Sequence, residues 1–147
     1  MRYMAVDYGS VRVGVAVSDP LGMIARGLTT LAVKGQSSDQ IAASLADLVR
    51  EQGVGTVVVG LPRRTDNRPG EAEEKARALA AALENLVDIP VVLQDERFTT
   101  VIAHRILNEG TVKAGKKRAV VDQVAAEVIL TDYLNSLRSK NQSQKRD

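Results

Sequence analysis

Five short apolar runs, each bounded by turn residues, punctuate the chain. Arg2 to Asp7 and Val11 to Ser18 come first. The second, Val-Arg-Val-Gly-Val-Ala-Val-Ser, alternates with period two, as a half-buried strand does. The short link Tyr8-Gly9-Ser10 makes the pair a hairpin. Leu28 to Val33 fits a third strand at a sheet edge. Thr56 to Val59 and Pro90 to Leu93 are short apolar strands later in the chain.

Between and after these runs the period changes to that of a helix. Ser37-x-x-Gln40 has the form of a capping box and opens a helix. Ile41, Leu45, Leu48 and Val49 share one face of it, and Gly53 ends it. Glu71 to Leu86 is alanine-rich and helical. Thr99 to Asn108 is a further helix, with Gly110 as its C-cap. Val120 to Leu137 is the last, with Val120, Val124, Ile129, Tyr133 and Leu137 along a stripe. Gly60 to Gly70 and Glu109 to Lys117 read as loops, the second mobile, and the residues after Arg138 as a frayed polar end. A hairpin followed by strands alternating with helices predicts an α/β fold: a mixed five-stranded sheet with helices on both faces. One domain over 1–138 and a polar tail over 139–147 account for the whole pattern.

In such sheets a site forms beyond the carboxyl ends of parallel strands. Those ends carry Asp7, Leu61-Pro62-Arg63 and Asp95-Glu96-Arg97. Asp122 falls in the first turn of the predicted last helix. Carboxylates brought together repel unless a cation neutralises them. With no cysteine and one histidine, the donors are hard oxygens, which suit Mg²⁺ or Mn²⁺ rather than zinc. Each acid also has a plainer reading. Asp7 can hydrogen-bond its own turn, and Glu96 and Asp122 can complement a helix N-terminus. His104, alone at mid-helix, reads as a surface residue, and Ser10 and Ser18 lack a neighbouring base.

Composition narrows the classes. The 147 residues are 44% hydrophobic and 26% charged, ordinary for a folded domain and unlike a disordered chain. Without cysteine there is no disulfide framework, thiol nucleophile or Cys-based zinc site. No apolar run approaches the roughly 20 residues of a membrane span, and the N-terminal pattern lacks a signal peptide's apolar region, so a cytoplasmic location is expected. The net charge is only +2, yet the basic residues cluster. Lys113, Lys116, Lys117 and Arg118 form one group, Arg63, Arg64 and Arg68 another, and Arg138, Lys140, Lys145 and Arg146 mark the end. Such groups suit a polyanion, and on charge alone they suit a solvated surface equally well. Aromatics are 3%, too few for a base-stacking platform, so a bound nucleic acid would be held by its backbone.

Taken jointly, five motifs carry a resemblance. They are Asp7-Tyr8-Gly9; Arg12-Val13-Gly14-Val15-Ala16 with Ser18-Asp19; Val59-Gly60-Leu61-Pro62; Asp95-Glu96-Arg97-Phe98-Thr99-Thr100; and Val121-Asp122 followed by Ala125-Ala126. In this order and spacing, over residues 2 to 137, the chain resembles the YqgF family, also called RuvX, nominal Holliday junction resolvases similar to RuvC. The resemblance implies an RNase H-like fold and a metal-dependent nuclease, associated in bacteria with maturing the 5′ end of 16S ribosomal RNA. Junction resolution is the older assignment. It implies Asp7, Glu96 and Asp122 as metal-binding catalytic acids, with Asp95 assisting. Arg97 would hold a phosphate or orient the acids. The chain departs from the family in its loop Arg63-Arg64-Thr65-Asp66-Asn67-Arg68-Pro69-Gly70, whose extra arginines bear on substrate choice.

The expected chemistry is phosphodiester hydrolysis assisted by two divalent ions roughly 3.5–4 Å apart. Asp7 would bridge them, while Arg63, Arg64, Arg97, Lys116, Lys117 and Arg118 hold RNA, or single-stranded or branched DNA, by its backbone. The protein would act as a monomer or, for symmetric junction cleavage, as a two-fold homodimer. Two rivals stand beside this reading. Asp7-x-Gly9-Ser10 before a hairpin also resembles the phosphate loop of sugar kinases and actin-like ATPases, which need two such domains. A nuclease-like domain can also serve as a non-catalytic RNA-binding module, although all three acids are present here.

Overall fold

A computed structural model of the chain describes residues 1–62, 70–96 and 116–145. Within them lie five strands, β1 (Arg2–Asp7), β2 (Arg12–Ser18), β3 (Ala25–Ala32), β4 (Val54–Leu61) and β5 (Val91–Asp95), and three helices, α1 (Ser38–Gln52), α2 (Glu71–Glu84) and α3 (Lys116–Lys145). The strands form one sheet in the order β3-β2-β1-β4-β5. β1 pairs antiparallel with β2 and β2 with β3, while β1, β4 and β5 run parallel. The mixed five-stranded sheet expected from the sequence is therefore present, with β3 at an edge.

Period-two alternation sorts the strands onto two unlike faces. Met4, Val6, Val13, Val15, Val17, Val57 and Val59 point to one side and make the larger core with Ile41, Leu45 and Val49 of α1 and Leu79 and Leu83 of α2. The opposite face carries Ala5, Ala16 and Val58 and is covered by Ala125, Ala126, Ile129, Leu130 and Leu134 of α3. Gly14 and Gly60 alternate with the first set and so belong to this second, small-residue face. Small residues let α3 approach the sheet closely, and it packs mainly over β1, β2 and β3.

Helix α1 is bounded as its sequence predicts. Gln40 N donates to Ser37 Oγ at 3.2 Å, and Ser37 N donates to Gln40 Oε1 at 2.8 Å. Gly53 closes it in the left-handed conformation, φ 63°, which a side chain would disfavour.

Helix α3 differs from expectation in three ways. It starts at Lys116, not Val120, and continues through Lys145 where a frayed end was expected. Lys, Arg, Ala and Gln are good helix formers, and no Gly or Pro interrupts 116–145. Asp122 consequently lies in the second turn, not the first. The buried stripe also differs: Ala125, Ala126, Ile129, Leu130 and Leu134 are buried, while Val124 and Tyr133 are only partly so. A glycine- and alanine-lined sheet face selects alanines at its centre, which a search for large apolar residues overlooks.

Candidate active site

The carboxyl ends of the three parallel strands meet at one edge of the sheet, and the amino end of antiparallel β2 lies there with them. Asp7 is the last residue of β1 and pairs with Gly14. On its other side, the register Val6–Val59 brings Gly60 alongside. Two strand positions beyond buried Ala5, Asp7 faces α3 and is itself only 4% exposed. It thus sits between two glycines, on the face the last helix covers.

The other two acids occupy the space above those glycines. Glu96 directly follows β5 and is also 4% exposed. A Cβ placed on Gly60 would fall 2.8 Å from Glu96 Oε1 and 2.6 Å from Ile129 Cδ1. The side chain of Glu96 therefore lies over Gly60. That oxygen is shielded from water and accepts no hydrogen bond among the described residues, although the residue keeps other interactions. Over Gly14 lies the main chain of Asp122: a Cβ there would overlap the Asp122 carbonyl. The glycines on β2 and β4 thus admit one acid each on either side of Asp7. The structure brings Asp7, Glu96 and Asp122 to one edge and one face of the sheet.

The carboxylate of Asp122 is nevertheless turned aside. Its Oδ2 accepts a hydrogen bond from Arg12 Nε at 2.9 Å, across 110 positions of sequence. Among the described residues, no three acidic or histidine side chains converge closely enough to ligate one ion. Sequence reading missed Arg12 as a partner of the site. The signal was available: Arg12, Gly14 and Ala16 alternate along β2 on the face that holds Asp7. The turn before it is tight, since a Cβ on Gly9 would come within 2.5 Å of the Arg12 carbonyl oxygen. Asp95 ends β5 opposite Leu61, adjacent to Glu96.

On the other side of the β1–β2 turn, Tyr8, Gly9, Ser10, Glu71, Ala72 and Lys75 line an open cleft of about 390 Å³. Glu71 accepts from Lys75 Nζ at 3.0 Å and holds that ammonium above its ordinary pKa. Arg63, Arg64, Arg68, Arg97, His104 and the expected 99–108 helix lie outside the described residues. For Lys116, Lys117 and Arg118 the description covers the backbone, which forms the opening of α3. Among the described residues, no helix is long and apolar enough to cross a membrane.

Comparison with known proteins agrees with this architecture. The chain is 46% identical over 137 residues to a protein of Moorella thermoacetica named "Putative pre-16S rRNA nuclease", covering 93% of this chain and 96% of that one. A protein of the same name from Pelotomaculum thermopropionicum is 43% identical over 136 residues, covering 92% and 88%. In three dimensions the fold is similar to that of Thermus thermophilus RuvC in complex with a Holliday junction substrate. The TM-score is 0.59 at 16% identity, covering 92% of this chain and 94% of the other. That likeness places the sheet and helices in the RNase H-like fold. The family model for RuvX, described as Holliday junction resolvase, matches residues 1–136, and the chain belongs to the RuvX family.

Proposed function

We propose that the chain is a divalent-metal-dependent nuclease that hydrolyses phosphodiester bonds in the 5′-end processing of pre-16S ribosomal RNA. The observation that carries this reading is the burial of Asp7 and Glu96, each 4% exposed, at the sheet edge covered by the helix that bears Asp122. Two carboxylates are costly to bury and mutually repulsive, and a divalent cation at the same place would relieve both costs. The names of the relatives from Moorella and Pelotomaculum supply the substrate class.

The donor set fits Mg²⁺ or Mn²⁺: three carboxylates, all hard oxygens, in a chain without cysteine. Asp7, Glu96 and Asp122 would hold the cation, with Asp122 rotating away from Arg12. When bound, such a cation supplies Lewis-acid polarisation of phosphoryl oxygens and acidifies water. The protein's own residues do the rest. The sheet edge places Asp7 and Glu96, and burial strengthens electrostatic interactions there. Asp95 adds a carboxylate beside Glu96. Arg63, Arg64, Arg97, Lys116, Lys117 and Arg118 would hold the nucleic-acid backbone and set its register.

The test is incubation of the purified full chain with Mn²⁺ and labelled substrates: RNA spanning a 16S 5′ end, single-stranded DNA and a four-way junction. RNA cleavage that requires Mn²⁺ and disappears in Asp7→Asn is the expected result. Preferential cutting of the junction would return the protein to the resolvase assignment. RNA binding with no cleavage of any substrate would leave a binding module, and turnover of ATP in a parallel incubation would favour the kinase-like reading.

A further inference from the structure

The Arg12–Asp122 pair joins the amino end of β2 to the second turn of α3, at the edge where the acids gather. Both side chains are partly exposed, Arg12 by 33% and Asp122 by 24%, so the pair lines the mouth of the site rather than its floor. The contact uses Nε of Arg12 and Oδ2 of Asp122. Behind it, the main chain of Asp122 is seated directly on Gly14. The carboxylate, which a side-chain rotation can move, is held by Arg12. In this arrangement, three carboxylates do not share one ion among the described residues.

We propose that Arg12 is a positioning residue that holds Asp122 in reserve, its guanidinium standing in for the divalent cation and yielding the carboxylate when the cation arrives. The inference rests on the proposed metal site. Its physical basis is charge. A guanidinium at the mouth of an anionic cluster offsets part of the carboxylate repulsion while the site is empty. The same positive charge opposes the entry of a second cation and competes directly for one ligand. On this proposal a divalent cation would take the same Oδ2 that Arg12 holds, so Arg12 weakens metal affinity and supports the metal-free fold at the same time. A purely structural ion pair, stitching α3 to the hairpin, predicts the opposite for metal: its loss would loosen Asp122 and weaken binding.

Mn²⁺ titration of the full chain, followed by the free-ion EPR signal without nucleic acid, separates the two. Arg12→Gln should bind Mn²⁺ roughly three- to tenfold more tightly than wild type, because one competing and one repelling charge are gone. Arg12→Lys, which keeps the charge, should stay near wild type. Unchanged or weaker binding by Arg12→Gln would overturn the proposal. Should that variant not fold, wild type alone decides by NMR. Mg²⁺ should move the Arg12 Nε–H resonance as its hydrogen bond to Asp122 breaks, and an Arg12 signal indifferent to saturating Mg²⁺ would equally overturn it. Asp7→Asn is the control for the site itself. If Asp7→Asn binds Mn²⁺ as tightly as wild type, or wild type binds none, the metal site falls and this inference with it. Binding that depends on Asp7 but not on Arg12 removes the inference alone.

Discussion

The main-chain carbonyl of Asp122 rests on Gly14, an approach that leaves no room for a β-carbon between helix α3 and strand β2. Helix and strand are both backbone at this point, so no side-chain rotation relieves the overlap. Gly14→Ala should therefore shift α3 along the sheet or part it from β2. Overpacking of this kind costs about 1–3 kcal/mol, several degrees in midpoint for a domain of this size. Cleavage should fall further than stability does, because Asp122 moves with the helix. A variant with wild-type melting and wild-type turnover would show that this approach places nothing.

Gly60 offers a contrast at the same edge. The atoms that would meet a new Cβ there are the ends of side chains, Ile129 Cδ1 at 2.6 Å and Glu96 Oε1 at 2.8 Å. Both can rotate, so Gly60→Ala should cost less than Gly14→Ala, about 1 kcal/mol or below. The cost to activity should not be small, since the group displaced is a proposed metal ligand. Misplacement by about 1 Å can reduce turnover about a hundredfold. The two variants should thus separate in a plot of melting midpoint against turnover. If both lose stability and activity in equal proportion, the glycines share one role and Glu96 is not specifically placed by Gly60.

How much of this was legible beforehand follows the range of the forces involved. The Ser37–Gln40 capping box and the Gly53 stop are local, and the structure shows both with their hydrogen bonds. The strand-end positions of Asp7 and Glu96 follow from alternation and strand length, which are local too. The helix starts at Lys116 rather than Val120 because Lys116, Lys117, Arg118 and Ala119 are good intrinsic helix formers, which a search for apolar periodicity does not weigh. The α3 stripe was missed because complementarity to glycines on another element decides which residues it buries. Arg12 belongs to the same class. Its partner is 110 positions away, and only the placing of β2 beside the second turn of α3 reveals the pair.

Asp19 tests a part of the fold remote from the acids. Its carboxylate accepts hydrogen bonds from Met23 N at 2.7 Å, Ile24 N at 2.8 Å and Leu21 N at 3.3 Å, wrapping the β2–β3 connection around one side chain. The bond from Ile24, then that from Met23, holds its pKa below the ordinary 3.8. A depressed carboxylate pKa contributes stability above the unfolded value and loses it as pH falls through the folded one. Asp19→Ala should therefore melt a few degrees below wild type at pH 7, and the gap should narrow below pH 4. A gap that stays constant from pH 7 to pH 3 would mean that the charge on Asp19 does not organise this loop.

Lys116, Lys117 and Arg118 open helix α3 one turn before Asp122. Their proposed role is to hold a nucleic-acid backbone, and the alternative is a merely solvated surface. Replacing all three by glutamine should weaken RNA binding and flatten its salt dependence. Each phosphate that is no longer neutralised lowers the log–log slope by about 0.7–0.9, so a change of about 2 is expected. The slope is measured with Mn²⁺ absent, so that cleavage does not interfere. An unchanged slope would assign the three residues to solubility.

Asp7 separates a metal ligand from a turn residue by melting alone. It is buried between Gly14 and Gly60 with Glu96 beside it, so folding must assemble carboxylates against their repulsion. In chelator at neutral pH, Asp7→Asn should melt at the same temperature as wild type or higher, because the substitution removes one of the repelling charges. Mn²⁺ should raise the wild-type midpoint, since a ligand held only by the native state stabilises it by mass action, about 2.7 kcal/mol at a hundred times its Kd. The variant should respond much less. If Asp7 merely bonded the β1–β2 turn, the substitution would cost about 1 kcal/mol in chelator, and Mn²⁺ would move neither midpoint. The two accounts thus differ in the sign of the chelator comparison and in the presence of a metal response. A wild-type protein whose midpoint is indifferent to Mn²⁺ would remove the reason for gathering acids at this edge.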